Sequence, residues 1–242
     1  MSAASPVRLV LLPGMDGTGD LFDPLIEAMG PHAAIDVVRY PGHQALGYEE
    51  LESRVRAQLP SPAPFVLLGE SFSGPLAISI AASPPPGLRG LVLCCSFARR
   101  PGPGLALMRA GLVDVSMRLL HSRLMRVPLR QLLLGRDASP RLSGMLEASL
   151  AQVSVAVMVR RMKEVQRVDV RDKLARVRVP ALYLQALQDR VVPRQAAAAM
   201  QHRLSALRVV KIDGPHGLLQ ASPAASARAI ESFCGELPLA FP

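Results

Sequence analysis

The sequence predicts an α/β fold built on a mostly parallel sheet of about six strands, with helices on both faces. Two observations carry this. Short apolar runs of strand length alternate with segments of helical length at both ends of the chain. Turn residues punctuate the alternation, as at Pro13-Gly14, Pro41-Gly42 and Pro84-Pro85-Pro86.

Each element follows from local pattern. Residues 7–12 are continuously apolar and run into Pro13-Gly14, which predicts a buried strand. A helix is expected over 21–29, with Asp20 as its N-cap. A second strand over 35–39 ends at Tyr40-Pro41-Gly42. Residues 48–59 carry Glu49, Glu50 and Glu52 early and Arg54 and Arg56 later, the charge order that suits a helix dipole. A third strand is expected over 65–69, a small-residue helix over 72–82 and a fourth strand over 89–95. Towards the other end, 181–185 and 208–212 read as strands, and 195–204 and 223–234 as helices.

The stretch 96–179 differs in character. Leucines, methionines and arginines recur at helical spacing, as in Met117, Leu120 and Leu124 and in Met158, Met162 and Val165. Six of the ten methionines fall here: Met108, Met117, Met125, Met145, Met158 and Met162. The expected organisation is a core of residues 1–95 and 180–242 with a helical lid, 96–179, inserted between two strands.

Composition narrows the class. Half of the 242 residues are hydrophobic and 19% are charged, which excludes a disordered chain and suits one domain with a sizeable core. No apolar run approaches the ~18–20 residues a membrane span needs, and no secretory leader is apparent, so a cytoplasmic protein is expected. Cys94, Cys95 and Cys234 form neither a disulfide framework nor a zinc spacing, so no metal is expected.

The strongest chemical signal is Leu67-Leu68-Gly69-Glu70-Ser71-Phe72-Ser73-Gly74. It sets a serine in a tight turn between a buried strand and a helix, the context of a nucleophile elbow. The usual pattern is Gly-x-Ser-x-Gly, whereas Ser73 here takes the last glycine's place. A serine in such a turn also serves as an ordinary helix N-cap, so partners elsewhere must separate the readings. A nucleophilic serine needs a base, and the base an orienting acid. His216, in Asp213-Gly214-Pro215-His216-Gly217, follows the last strand and opens at the same sheet edge as Ser71. Asp189 follows the fifth strand, though it too could simply cap the next helix. His32, His43, His121 and His202 carry no motif.

The order Ser71, Asp189, His216 resembles that of the α/β-hydrolase family, and the resemblance spans nearly the whole chain. It implies a serine carboxylic ester hydrolase with a lid, no cofactor and an acyl-enzyme intermediate. The loop Pro13-Gly14-Met15-Asp16-Gly17-Thr18-Gly19 lies where that family places its second oxyanion donor, so the backbone amides of Met15 and Phe72 would form the hole. Its glycines do not match the GxGxxG or GK[ST] spacing of nucleotide loops. The segments Val168-Asp169-Val170-Arg171-Asp172-Lys173-Leu174 and Asp189-Arg190-Val191-Val192-Pro193-Arg194 are also similar to esterases that demethylate pimeloyl-carrier-protein in biotin synthesis. Thioesterase and acyltransferase chemistry would use the same triad, and a non-catalytic binding protein could keep the fold.

The net charge of +9 is unevenly placed. Residues 96–178 hold 17 Lys and Arg against 6 Asp and Glu, and the rest of the chain holds 11 against 13. Scarce aromatics and the lack of a recognition motif argue against nucleic acid. The excess belongs to the expected lid, where Arg118, Arg123, Arg126 and Arg130 are candidate contacts for an anionic substrate or an acidic acyl carrier protein.

Overall fold

The computed structural model describes residues 8–102 and 125–237. Six strands, β1 (Arg8–Leu12), β2 (Ile35–Val37), β3 (Phe65–Glu70), β4 (Leu88–Cys94), β5 (Ala181–Ala186) and β6 (Leu207–Ile212), form one sheet. Their order is β2-β1-β3-β4-β5-β6 and every neighbouring pair is parallel. Side chains alternate across the sheet with period two. Leu9, Leu11, Val66, Leu68 and Val92 therefore face one core, and Val10, Leu12, Leu67, Leu91 and Leu93 face the other. Because both faces are covered, the inner strands β1 and β3 to β5 are almost wholly buried, while the edge strands β2 and β6 are partly exposed and carry Asp36, Arg208 and Lys211.

The first core is closed by α1 (Asp23–Met29) and α10 (Pro223–Gly235), through Leu25, Ile230 and Phe233. The second is closed by α2 (Tyr48–Arg56) and α3 (Gly74–Ala82). The dipole-ordered charges of α2 lie as expected: Glu50 Oε2 accepts from the Gly47 N–H at 2.6 Å, and Arg56 pairs with Glu52 one turn back. Between β4 and β5 the described helices are α4 (Arg126–Leu134), α5 (Pro140–Ala151), α6 (Val155–Arg167) and α7 (Arg171–Leu174). Ser139 and Ser154 cap α5 and α6, accepting from the N–H groups of Leu142 and Val157. Helix α6 is fixed in place, since Val157, Met158, Met162 and Val165 join the same core as α3. Two short helices follow β5 and β6: α8 (Gln195–Gln201) and α9 (Leu218–Ala221).

Some expectations change. Asp20 is not an α-helix N-cap: a 3-10 turn occupies Asp20–Phe22, α1 begins at Asp23, and no side chain caps it. The Asp20 carboxylate instead accepts from Arg39 Nη1 at 2.5 Å and Gln152 Nε2 at 2.8 Å, which tie it to distant segments. The strand over 35–39 stops at Val37, which pairs with Leu11, the last β1 residue in register with it. Helix α9 is a single turn that the sequence reading leaves within a connection. Met108, Met117, Arg118, Leu120, His121, Arg123 and Leu124 lie outside the described residues. Among the described residues no single helix is long and apolar enough to cross a membrane.

The strand order sets the place of the site. From β1 the chain steps outward to β2, then crosses back to β3 on the other side of β1. The carboxyl ends of β1 and β3 thus flank a topological switch point, where open α/β sheets leave a crevice. The glycine loop after β1 and Ser71 after β3 both open into it.

Candidate active site

Ser71 stands at the end of β3 in a left-handed conformation, φ 48°, which a non-glycine residue adopts only under constraint. Close approach of strand and helix creates that constraint. A Cβ on Gly69 would sit 2.8 Å from Ala77 Cβ and from the Ser73 carbonyl oxygen. One on Gly74 would sit 1.7 Å from Ser96 Oγ. The two glycines are required on steric grounds. Ser73 departs from the usual elbow pattern because its hydroxyl has partners: Oγ donates to the Pro13 carbonyl and accepts from Tyr40 Oη at 2.7 Å. It thereby joins the elbow to the glycine loop.

The structure brings the three expected side chains together. Ser71 Oγ lies 2.9 Å from His216 Nε2, and His216 Nδ1 lies 2.9 Å from Asp189 Oδ2 and 3.1 Å from Oδ1. Asp189 Oδ1 also accepts from the N–H groups of Val191 at 2.8 Å and Val192 at 2.9 Å. Burial opposes ionisation of Asp189, but the hydrogen bond and charge of His216 and the two amides outweigh it. Its carboxyl is held below its ordinary value, as an anion that orients the imidazole. Asp213, near His216 in sequence, turns away to accept from Gln188 Nε2. His32, His43 and His202 are exposed. Cys95 offers a thiol within 4.8 Å of donor atoms on Asp189 and His216, but those two are engaged with each other.

The backbone amides of Phe72 and Met15 are oriented through their own peptide planes. In a trans peptide the C=O and the following N–H point in opposite directions. Ser96 Oγ donates to the Ser71 carbonyl at 2.6 Å, which fixes the direction of the Phe72 N–H. The Gly17 N–H donates to the Gly14 carbonyl at 3.1 Å, which fixes that of the Met15 N–H. Phe72 is further held by its ring, stacked on Tyr48 at 4.7 Å, and by Tyr48 Oη donating to its carbonyl.

A cavity of about 810 Å³ opens over Ser71 and His216. Its walls are apolar, with Leu129, Leu133, Leu146 and Leu150 from α4 and α5 and Met158 and Met162 from α6. Arg126 and Arg130, two of the four candidate arginines, line it as well. Arg126 pairs with Glu147 at 3.6 Å, and Arg130 reaches Ser143 Oγ while its Nε is buried without a partner.

Three groups around the site escaped the sequence reading: Glu70 and Gln220, which line the cavity, and Arg161, which lies against the glycine loop. Glu70, next to Ser71, is 7% exposed and accepts from Gln220 Nε2 at 3.0 Å. Burial pushes its carboxyl up to about 7. Arg161 on α6 is 1% exposed and reaches the glycine loop. The available signals were an acid closing an otherwise apolar strand and a cation on the apolar stripe of a helix, one turn from Val157, Met158 and Val165.

Comparison with known proteins agrees with this geometry. The chain is 25% identical over 218 residues to a pimeloyl-[acyl-carrier protein] methyl ester esterase of Neisseria meningitidis, covering 85% of this chain and 69% of that protein. It is 28% identical over 250 residues to one of Xanthomonas axonopodis, covering 95% and 96%. Among solved structures, the enol-lactonase of Burkholderia xenovorans superposes with a TM-score of 0.82 at 17% identity, covering 98% of this chain and 94% of that one. A hydrolase of Pseudomonas aeruginosa superposes with a TM-score of 0.79 at 21% identity, covering 97% and 92%. The model of the alpha/beta hydrolase family matches residues 9–229, and with the parallel sheet and the serine elbow at its switch point, this chain belongs to that family.

Proposed function

We propose that the protein is a serine carboxylic ester hydrolase that works through Ser71, His216 and Asp189. The observation that carries this is the continuous hydrogen-bonded chain from Ser71 Oγ through His216 to Asp189, opening into an apolar cavity. His216 Nε2 takes the Ser71 proton as Oγ attacks the ester carbonyl. Asp189 holds the imidazole with Nδ1 protonated and stabilises the imidazolium. The N–H groups of Met15 and Phe72 receive the oxyanion. The alcohol leaves with the proton from His216, and a water deprotonated by His216 then releases the acid from Ser71. Helices α4, α5 and α6 serve as a lid over the acyl chain, within an insertion spanning 96–179 of a core made of 1–95 and 180–242.

An ester carried on an acidic acyl carrier protein is the more specific reading. It is favoured by Arg126 and Arg130 in the cavity wall and by the names of the relatives, which act on an acyl-carrier-protein ester. Neutralising Arg118, Arg123, Arg126 and Arg130 together is expected to slow a carrier-linked ester far more than a small neutral one. Equal slowing would reduce these arginines to solvation of the insertion. A thioesterase or acyltransferase is distinguished by a panel of aryl esters, acyl thioesters and an alcohol acceptor. A non-catalytic binding role is disfavoured by the intact triad.

The decisive experiment is fluorophosphonate labelling with ester turnover in parallel. Wild type is expected to label at Ser71, and Ser71→Ala to lose both labelling and turnover while remaining folded. Unchanged turnover by pure Ser71→Ala overturns the assignment.

A further inference from the structure

Arg161 is a buried cation that touches neither Ser71, His216 nor Asp189 in any hydrogen bond described above. It projects from α6 into the glycine loop after β1. Its Nη1 donates to the carbonyls of Met15 and Asp16, both at 2.8 Å, and its Nη2 to the Pro41 carbonyl at 3.1 Å. The guanidinium also lies over the Tyr40 ring, 5.6 Å from its centroid. Loop and guanidinium are shaped to each other: a Cβ on Gly17, which has φ +72°, would fall 2.6 Å from Nη1.

The consequence appears in the loop's carbonyls. Pro13 is bonded by Ser73 Oγ, Gly14 by the Gly17 N–H, Met15 and Asp16 by Arg161, Gly17 by the Tyr40 N–H and Thr18 by Arg39. Every carbonyl from Pro13 to Thr18 thus has a partner. Met15 lies between two anchored peptide planes, one held by Gly17 and the other by Arg161. Without the guanidinium, the Met15 and Asp16 carbonyl oxygens, which converge on one point, would lose their shared donor. Peptide groups in that state rotate to find water or another partner, because a buried unpaired carbonyl costs ~1–3 kcal/mol.

We infer that Arg161 is a positioning residue of the active site: by clamping the Asp16 carbonyl it fixes the opposed Gly17 N–H, whose bond to the Gly14 carbonyl aims the Met15 N–H at the oxyanion. This rests on the ester-hydrolase reading above. It also makes α6 part of the catalytic frame, so the insertion contributes to chemistry as well as to the acyl wall. Burial disfavours the charged guanidinium, opposed by Asp16 and Tyr40. Three carbonyls and the Tyr40 face compensate it.

The test uses Arg161→Lys and Arg161→Gln in the full chain, with a trifluoromethyl ketone as probe. Ser71 Oγ adds to the ketone carbon, its proton passes to His216, and the carbonyl π pair becomes an oxyanion in the hole. Deleting one oxyanion donor outright typically costs ~10²–10³ in rate, and a misaimed donor should cost less, about 10–100-fold. The expected result is that kcat for an aryl ester and affinity for the ketone fall by similar factors in that range. KM, and the affinity for the product carboxylate, which forms no oxyanion, should change less than about threefold. An unchanged kcat and ketone affinity overturns the inference. So does an equal loss of ketone and carboxylate affinity, which marks a general loosening of the cavity. If Arg161→Gln fails to fold by circular dichroism, the lysine variant carries the test. Failure of the ester-hydrolase reading is separable: wild type then shows no fluorophosphonate labelling at Ser71, whatever Arg161 does.

Discussion

Replacing Glu70 by glutamine should turn a pH-dependent stability into a nearly flat one. Glu70 closes β3, is 7% exposed, and has a carboxyl raised from 4.5 to about 7. Burial is the main cause; the Asp16 carboxylate adds to it, while the Gln220 amide and His216 oppose it. A raised acid binds its proton more tightly in the folded chain than in the unfolded one. Between pH 4.5 and 7 the folded state therefore holds more protons, and stability falls as pH rises. The contribution is fully present below the unfolded value and is lost once pH passes the folded one. At 1.36 kcal/mol per pKa unit, the swing is on the order of 3 kcal/mol, of which about 2.5 falls between pH 5 and pH 8. Glutamine has the shape of the neutral acid and cannot ionise. Urea unfolding of wild type and Glu70→Gln at pH 5, 6, 7 and 8 reads this directly. The variant should gain on wild type by about 2.5 kcal/mol across that range. A constant difference at all four pH values refutes the argument, since it would mean that Glu70 ionises alike in both states.

Other predictions concern the site and the elbow. Asp189→Asn, by removing the anion that fixes the His216 tautomer, should lower kcat by about 10⁴ with the fold retained, measured on an aryl ester. Gly74→Ala should destabilise by about 1–3 kcal/mol in urea, because its methyl would collide with Ser96; a neutral result would mean that α3 shifts freely. For p-nitrophenyl esters, each added acyl methylene should raise kcat/KM about fourfold while the chain still finds apolar wall, from ~0.8 kcal/mol per buried CH₂. An optimum at acetate would show that the leucine and methionine wall is not the acyl site.

Much of this was legible in one dimension. The inner strands β1, β3, β4 and β5 are short, mostly apolar runs because they are buried on both faces, whereas the edge strands β2, with Asp36, and β6, with Arg208 and Lys211, stand out less. Ser71, Asp189 and His216 were readable because each follows a strand, and parallel strands bring their carboxyl ends to one edge. Asp20 misled because Asp before an apolar run signals a cap, while Arg39 and Gln152 compete for its carboxylate from elsewhere. Helix α9 was missed because one turn carries too little periodicity to register.

What the sequence alone determined is the order of the strands along the chain and the three residues at their ends, since both depend on local pattern and on the turns that interrupt it. The tertiary structure decided how the neighbours of those residues are held. Arg161 meets Met15 across 146 positions, Gln220 meets Glu70 across 150, and Ser73 meets Pro13 across 60. No periodicity encodes such pairs. They exist because buried carbonyls and carboxyls must find partners wherever the folded chain brings a donor.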